Sequence, residues 1–171
     1  MSERFFFALW PGEEQRQALL TLQAQLDQPG SRRTHPADFH LTLAFLGALS
    51  LEQQRCVRAA ADQLSSPSFS LQLDCFGSFP KARVGWCGLR THPPELRQLV
   101  NSLWSALELC GFRREQRSYH PHITLLRKAK PIRPGALSKP ITWPVESFVL
   151  AHSKTGATPR YRLLKRWFLS P

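Results

Sequence analysis

The chain has 171 residues, 42% of them hydrophobic, which suits one compact domain or two small lobes sharing a core and is too short for two ordinary independent domains. Its 23 Lys and Arg against 12 Asp and Glu leave a net charge of +11. Such an excess attracts polyanions through counterion release, which makes nucleic acid the expected partner and a merely solvated basic surface the alternative. No apolar run is long enough to span a bilayer, and Phe5 to Trp10 is too short for a signal-peptide core, so the expectation is a soluble cytoplasmic protein with no membrane partner.

In chain order, residues 4–10 are rich in Phe and predict a strand that Pro11 and Gly12 end. Residues 13–28 place Ala18, Leu19, Leu22 and Leu26 at helical spacing, with acids in the first turn and Pro29-Gly30 as the stop. A polar loop carrying Arg32, Arg33, His35, Pro36 and Asp38 leads into an apolar strand, 39–46, closed by Gly47. A second helix, 51–64, starts after Ser50 with Glu52 in its first turn. Residues 69–76 alternate with the period of a half-buried strand, and 83–89 is its expected neighbour across a turn. Residues 94–110 form the clearest helix: Leu96, Leu99, Val100, Leu103 and Leu107 make a stripe, and Gly111 supplies the stop. A strand over 120–127 follows, then a proline-rich loop through Pro131, Pro134 and Pro140, and two strands over 145–152 and 161–169.

Mixed order with hairpins predicts an α+β fold rather than a doubly wound parallel sheet. The cysteines, Cys56, Cys75, Cys87 and Cys110, show no C-x-x-C pairing and read as small buried hydrophobes in a reducing compartment, none of them catalytic or metal-binding.

One internal echo stands out. THPADFHLTLAFLG and QRSYHPHITLLRKA align so that His40, Leu41, Thr42 and Leu43 match His122, Ile123, Thr124 and Leu125, 82 residues later. With six histidines in the chain, two such matches have a chance on the order of one in a thousand. In a strand, side chains alternate between faces, so each His projects beside its Thr while the apolar residues pack behind. Two such strands side by side about a local twofold would bring four polar groups into one cleft. Two imidazoles flanking a phosphorus atom suit in-line displacement at a phosphodiester: one takes a proton from water while the other gives one to the leaving oxygen. The threonine hydroxyls can donate to the non-bridging oxygens, where charge develops.

At these residues the sequence resembles the two-histidine phosphoesterase superfamily, defined by two H-x-T-x motifs about eighty residues apart, and within it the bacterial RNA 2′,3′-cyclic phosphodiesterase (2′-5′ RNA ligase) branch. FHLTLAFLG, RVGWCGLR, HPHITLLR and the terminal LKRW carry the likeness, which covers nearly the whole chain. The resemblance implies a single bilobal domain over 1–171, with duplicated β-α repeats whose antiparallel strands curve around a central active-site groove. It implies hydrolysis of a terminal 2′,3′-cyclic phosphate to a 2′-phosphate with no metal or cofactor, His40 as proton donor and His122 as proton acceptor. Symmetry alone does not assign those roles. Its substrates would be RNAs with 2′,3′-cyclic phosphate ends, tRNA halves among them, and the expected state is a monomer. Reverse joining through a 2′-5′ linkage is a secondary activity, since no adenylated-lysine motif or P-loop is present to drive it.

Arg127, five positions after His122, is a candidate phosphate or ribose contact, but strict alternation points it away from that histidine, and only a bulge or the strand end could redirect it. The first copy has Phe45 at the matching place. His120 shares parity with His122, with Pro121 between them; it could orient a neighbour, a structural role being the default. His35, His92 and His152 read as surface residues. Phe39, Trp10 and Tyr119 could stack on a base, with core packing the default for each. Arg32-Arg33, Arg113-Arg114-Arg117 and Lys128-Lys130 are candidate RNA-backbone tracks.

Two rival readings remain open. A metallohydrolase built on His40, His120 and His122 would need further ligands, and no H-E-x-x-H or similar cluster is present. A non-catalytic RNA-binding module lacks the usual signatures and leaves the paired threonines unexplained.

Overall fold

Residues Phe5, Phe6, Phe7, Ala8 and Leu9 are all buried, so the first strand is covered on both faces and must lie inside a sheet, not at its edge. The computed structural model describes residues 3–171. It has nine strands, β1 (Phe5–Leu9), β2 (Arg32–Arg33), β3 (Leu41–Gly47), β4 (Phe69–Phe79), β5 (Val84–Gly88), β6 (His122–Arg127), β7 (Gly135–Val145), β8 (Ser147–Ser153) and β9 (Tyr161–Phe168). They form one sheet in the order β7-β4-β5-β6-β3-β1-β8-β9, with β2 on β6, and every strand pairing is antiparallel. Three helices, α1 (Glu13–Leu26), α2 (Leu51–Asp62) and α3 (Pro94–Glu108), complete the α+β fold.

The duplication is visible in the strand order. Each motif strand heads a four-strand half-sheet, β3-β1-β8-β9 on one side and β6-β5-β4-β7 on the other, and the halves meet where β3 touches β6 through the single pair Leu41 and Ile123. One long helix connects β1 toward β3 and another connects β5 to β6, which is the repeated β-α unit.

Both motif strands carry a bulge at the same place. On β3, Ala8 faces Thr42 and Phe7 faces Ala44, leaving Leu43 without a partner; on β6, Trp86 faces Thr124 and Gly85 faces Leu126, leaving Leu125 without one. Each bulge puts two buried residues in succession, Leu43-Ala44 and Leu125-Leu126, and so shifts the alternation of everything after it.

The helices cover one face of the sheet. The α3 stripe Leu96, Leu99, Val100, Leu103 and Leu107 is buried, each leucine contributing about 2 kcal/mol of apolar burial. Helix α2 starts with a capping box in which Ser50 and Gln53 each accept the other's backbone N–H.

Four expectations change. The proline-rich stretch 131–140 is not all loop: β7 runs through Pro140 and Pro144 because it is an edge strand, where a missing N–H costs no ladder bond. The strand expected over 145–152 begins at Ser147, with Val145 belonging to β7. The strand expected from His120 begins at His122, since Pro121 has no N–H to donate. Finally, Cys56 on α2 and Cys110 at the end of α3 form a disulfide, so the reading of four unpaired thiols fails, and with it the argument from cysteine usage for a reducing compartment. The two residues are 54 apart in sequence and meet only because α2 packs on α3, which spacing along the chain does not reveal. Cys75 and Cys87 are free. Among the described residues, no helix is long and apolar enough to cross a membrane.

Candidate active site

The open face of the sheet holds a cavity of about 760 Å³ at the junction of the half-sheets, and His40, Thr42, His122, Thr124 and Arg127 all line it. Leu41, Leu43, Ile123 and Leu125, the apolar motif positions, are buried, and of the four only Leu43 also borders the cavity. The expected convergence of the two motifs is therefore present.

The imidazoles are held alike. His40 Nδ1 lies 2.7 Å from the backbone carbonyl of Asp38, and His122 Nδ1 lies 2.7 Å from that of His120. A carbonyl only accepts, so both Nδ1 atoms carry the hydrogen, and each neutral ring keeps its lone pair on Nε2. His120 does orient its neighbour, but through its carbonyl; its side chain is exposed at the cavity rim.

Aromatic rings enclose both histidines. Trp10 stacks on His40 at 5.0 Å with 11° between planes, Phe6 packs at 4.8 Å, and Tyr161 meets it edge-on at 5.0 Å. Phe79 meets His122 edge-on at 4.9 Å and itself packs on Trp86. Burial is the main reason that the pKa of His40 falls to about 4, with the Arg127 and His122 charges adding to it and Asp38 opposing. Burial lowers that of His122 as well.

The position of Arg127 is explained by the Leu125 bulge, which resets the strand's alternation and turns Arg127 to the His122 side. Its charge reaches both imidazoles. The bulge is held from α1: the buried Gln23 side chain donates to the Leu125 carbonyl at 2.8 Å and to the Thr34 carbonyl at 2.9 Å, while Thr34 N–H also donates to Leu125 at 2.9 Å. The matching bulge at Leu43 turns Phe45 into the cavity with 48% of its surface exposed.

A family model described as the 2′-5′ RNA ligase superfamily matches residues 10–157. This chain belongs to that superfamily. The Escherichia coli K12 relative, named RNA 2′,3′-cyclic phosphodiesterase, is 36% identical over 98% of this chain and 97% of its own length. A Thermus thermophilus relative of the same name is 30% identical, over 97% of this chain and 90% of its own. Among solved structures, Escherichia coli LigT complexed with 3′-AMP superimposes with a TM-score of 0.89 at 35% identity, and a structure described as a phosphoesterase does so at 0.90 and 35%; each match covers both chains in full.

Within this superfamily member, the remaining candidates separate clearly. Phe39 is fully buried and has no face for a base, which rules out the stacking role and leaves the default, core packing: its backbone N–H donates to the Pro36 carbonyl at 3.2 Å to close a short 3-10 turn while its ring enters the core. Trp10 is occupied by His40, and its Nε1 donates to the Ala37 carbonyl at 3.2 Å. Tyr119 walls the cavity, but its hydroxyl donates to the Thr42 carbonyl at 2.8 Å, tying the loop before the second motif to the first motif strand. Arg114 and Arg117 reach the cavity; Arg32, Arg33, Arg113, Lys128 and Lys130 do not line it. His35 caps the 3-10 turn, and His152 Nδ1 lies 3.1 Å from a Glu3 carboxylate oxygen. Among the described residues, no group of three His, Cys, Asp or Glu side chains is placed to hold a metal ion.

The site contributions of three residues, Phe45, Gln23 and Asp38, do not follow from the sequence alone. Asp38 is buried, and its carboxylate accepts the backbone N–H groups of Arg160 at 2.9 Å and Tyr161 at 3.1 Å, which fixes the start of β9 against His40. The two-motif echo matches Phe45 to Arg127, but its turn into the cavity depends on the Leu43 bulge, which alternation alone does not show. Nothing local in the sequence marks Gln23 or Asp38, whose partners lie far along the chain.

Proposed function

We propose that this chain is an RNA 2′,3′-cyclic phosphodiesterase, working as one two-lobed domain, that opens a terminal cyclic phosphate to a 2′-phosphate. The observation that carries the reading is the matched anchoring of His40 and His122, which leaves two Nε2 atoms free beside two threonine hydroxyls in one cavity. The names of the relatives and the 3′-AMP and phosphate complexes of Escherichia coli LigT support it.

In this mechanism, water attacks phosphorus opposite O3′. His122 Nε2 takes the water proton as the new P–O bond forms, and protonated His40 gives its Nε2 proton to O3′ as the P–O3′ bond breaks. The Nδ1–H bonds to Asp38 and His120 hold both rings in the required tautomer throughout. Thr42 and Thr124 donate to the non-bridging oxygens, and the Arg127 guanidinium balances the charge that gathers there. Phe45 offers its ring to the terminal base. These side chains supply acid, base and anion contacts without a metal ion or cofactor.

Both motifs come from one chain, so a monomer has a complete site, and RNA keeps the cytoplasm as the proposed place of work. Joining of RNA halves through a 2′-5′ linkage is the reverse of the same chemistry and a secondary activity. The test is to incubate the protein with an oligonucleotide ending in a 2′,3′-cyclic phosphate and identify the product. A 2′-phosphate is expected; a 3′-phosphate, or no turnover, contradicts the reading.

A further inference from the structure

We propose that the RNA strand leading to the scissile phosphate leaves the cavity past His40 and runs along the exposed strand β9, where Arg160 and Arg166 meet its next phosphates and Phe168 stacks on a base. This rests on the proposed reaction and on His40 as its acid.

The chemistry sets the direction. In an in-line displacement the acid stands beside the leaving oxygen and the base stands beside the water, on opposite sides of phosphorus. The leaving O3′ belongs to the terminal ribose, and the rest of the strand is attached through that ribose. The nucleic acid therefore lies on the His40 side, over the half-sheet β3-β1-β8-β9.

That face continues the cavity. Phe6, Ala8, Val149 and Ala151 form a small apolar cluster on it, with Trp10 and Tyr161 packed against them. Residues directly opposite in an antiparallel pair share a face. Tyr161 faces Ser153, Leu163 faces Ala151, Arg166 faces Val149 and Phe168 faces Ser147, the phase being kept by a bulge at Leu164. Tyr161, Leu163, Arg166 and Phe168 thus form a row leading outward from His40.

The composition of the row suits a single-stranded nucleic acid. Among the described residues, Phe45 and Phe168 are the only aromatic residues with largely exposed side chains, and both lie on this face; Phe168 is 80% exposed. Neither β8 nor β9 contains an acidic residue. The Arg160 guanidinium lies 5.7 Å over Tyr161, whose ring touches His40, so it stands two ring contacts from the acid. Its backbone is fixed by Asp38. Cations next to stacking rings are the pattern by which proteins follow an unpaired strand. Arg166 donates to the Ser147 hydroxyl at 2.7 Å, as Arg114 on the opposite exit does to Asn101, but on that opposite exit a carboxylate, Glu115, already neutralises Arg117.

The experiment compares kcat/KM for a 2′,3′-cyclic mononucleotide and for a tetranucleotide ending in the same cyclic phosphate. Wild type should favour the tetranucleotide. The triple variant Arg160→Ala, Arg166→Ala, Phe168→Ala should lose that preference, by about tenfold or more, and keep the mononucleotide rate, which also reports an intact fold. Its affinity for a product tetranucleotide should depend less steeply on salt, by roughly 0.7 in log-log slope for each phosphate contact removed. Arg166→Glu alone should act in the same direction. The pair Arg113→Ala, Arg114→Ala should keep the preference. The proposal is overturned if wild type shows no preference, if the triple variant retains it, or if the Arg113 and Arg114 pair abolishes it instead. Absence of turnover on both substrates would remove the proposed reaction, and this inference with it.

Discussion

Leu41 and Ile123, the second residues of the two motifs, pair directly across the junction of the half-sheets. Equivalent residues in antiparallel register place a local twofold between them, so the neighbours His40 and His122 fall on either side of one cavity. The paired motif strands are thus sufficient to build a two-histidine site. The threonines follow one place further on, and Thr42→Val and Thr124→Val should each lower kcat by about ten- to a thousandfold, as removal of one transition-state hydrogen bond does. Steady-state kinetics on a cyclic-phosphate oligonucleotide checks this, and a variant at the wild-type rate removes that hydroxyl from the mechanism.

Arg127 reaches the cavity only through the Leu125 bulge, and Gln23 supports that bulge from α1. Arg127→Lys should reduce kcat/KM at least tenfold, because an ammonium does not reproduce a bidentate contact with phosphate oxygens. Gln23→Leu should cost about 1–3 kcal/mol of stability, since it removes the side-chain donor to two buried carbonyls, and should lower activity further by loosening Arg127. Denaturant titration and kinetics on the same protein separate the two effects.

Asp38 joins two distant parts of the site: its carbonyl accepts from His40, and its carboxylate accepts from Arg160 and Tyr161. Asp38→Ala leaves two backbone N–H groups without their partner and should destabilise the fold by about 3 kcal/mol. Released from Asp38, Tyr161 no longer meets His40 edge-on in a fixed position. Asp38→Asn, which keeps an acceptor oxygen, should recover part of the loss in thermal unfolding.

Burial lowers the pKa of His40 to about 4 and that of His122 below its ordinary value of 6.5, so both rings are neutral at pH 7 in the free protein. Catalysis needs one protonated and one neutral ring, so kcat/KM should follow a bell whose maximum lies below pH 6.5 and whose two apparent pKa values belong to the pair. A bound phosphodiester anion favours the protonated rings, and the kcat profile should therefore peak at higher pH than the kcat/KM profile. Stability follows the same sign as for a carboxylate whose pKa is lowered on folding. The unfolded histidines bind protons more readily than the folded ones, so stability should fall as pH drops from 6.5 toward 4. His40→Gln should flatten that fall.

The site's chemistry was legible where it was written locally. His40, Thr42, His122 and Thr124 stand in two short strands of clear alternation, and repetition marked them. The helices were legible because their stripes recur at helical spacing, as with Leu96 to Leu107. What escaped depended on contacts distant in sequence: the Cys56–Cys110 bond between two helices, the Gln23 support of a bulge, and the Asp38 clasp on β9. Strand β7 was hidden by its prolines, which are tolerated because nothing pairs on its outer side. Phe39 sits next to a catalytic candidate, and adjacency suggested a role that its complete burial rules out.

The assignment of acid and base is tested most directly by changing the leaving group. With sulfur in place of O3′ in the cyclic substrate, the leaving thiolate needs no proton, so the acid becomes dispensable while the base does not. His40→Ala and His122→Ala should both lose orders of magnitude on the oxygen substrate, with circular dichroism showing that the fold is kept. On the sulfur substrate, His40→Ala should recover most of the wild-type rate and His122→Ala should stay inactive. Rescue of His122→Ala instead would reverse the roles and send the strand to the other side of the cavity, and near wild-type activity of either variant on the oxygen substrate would contradict the two-histidine mechanism.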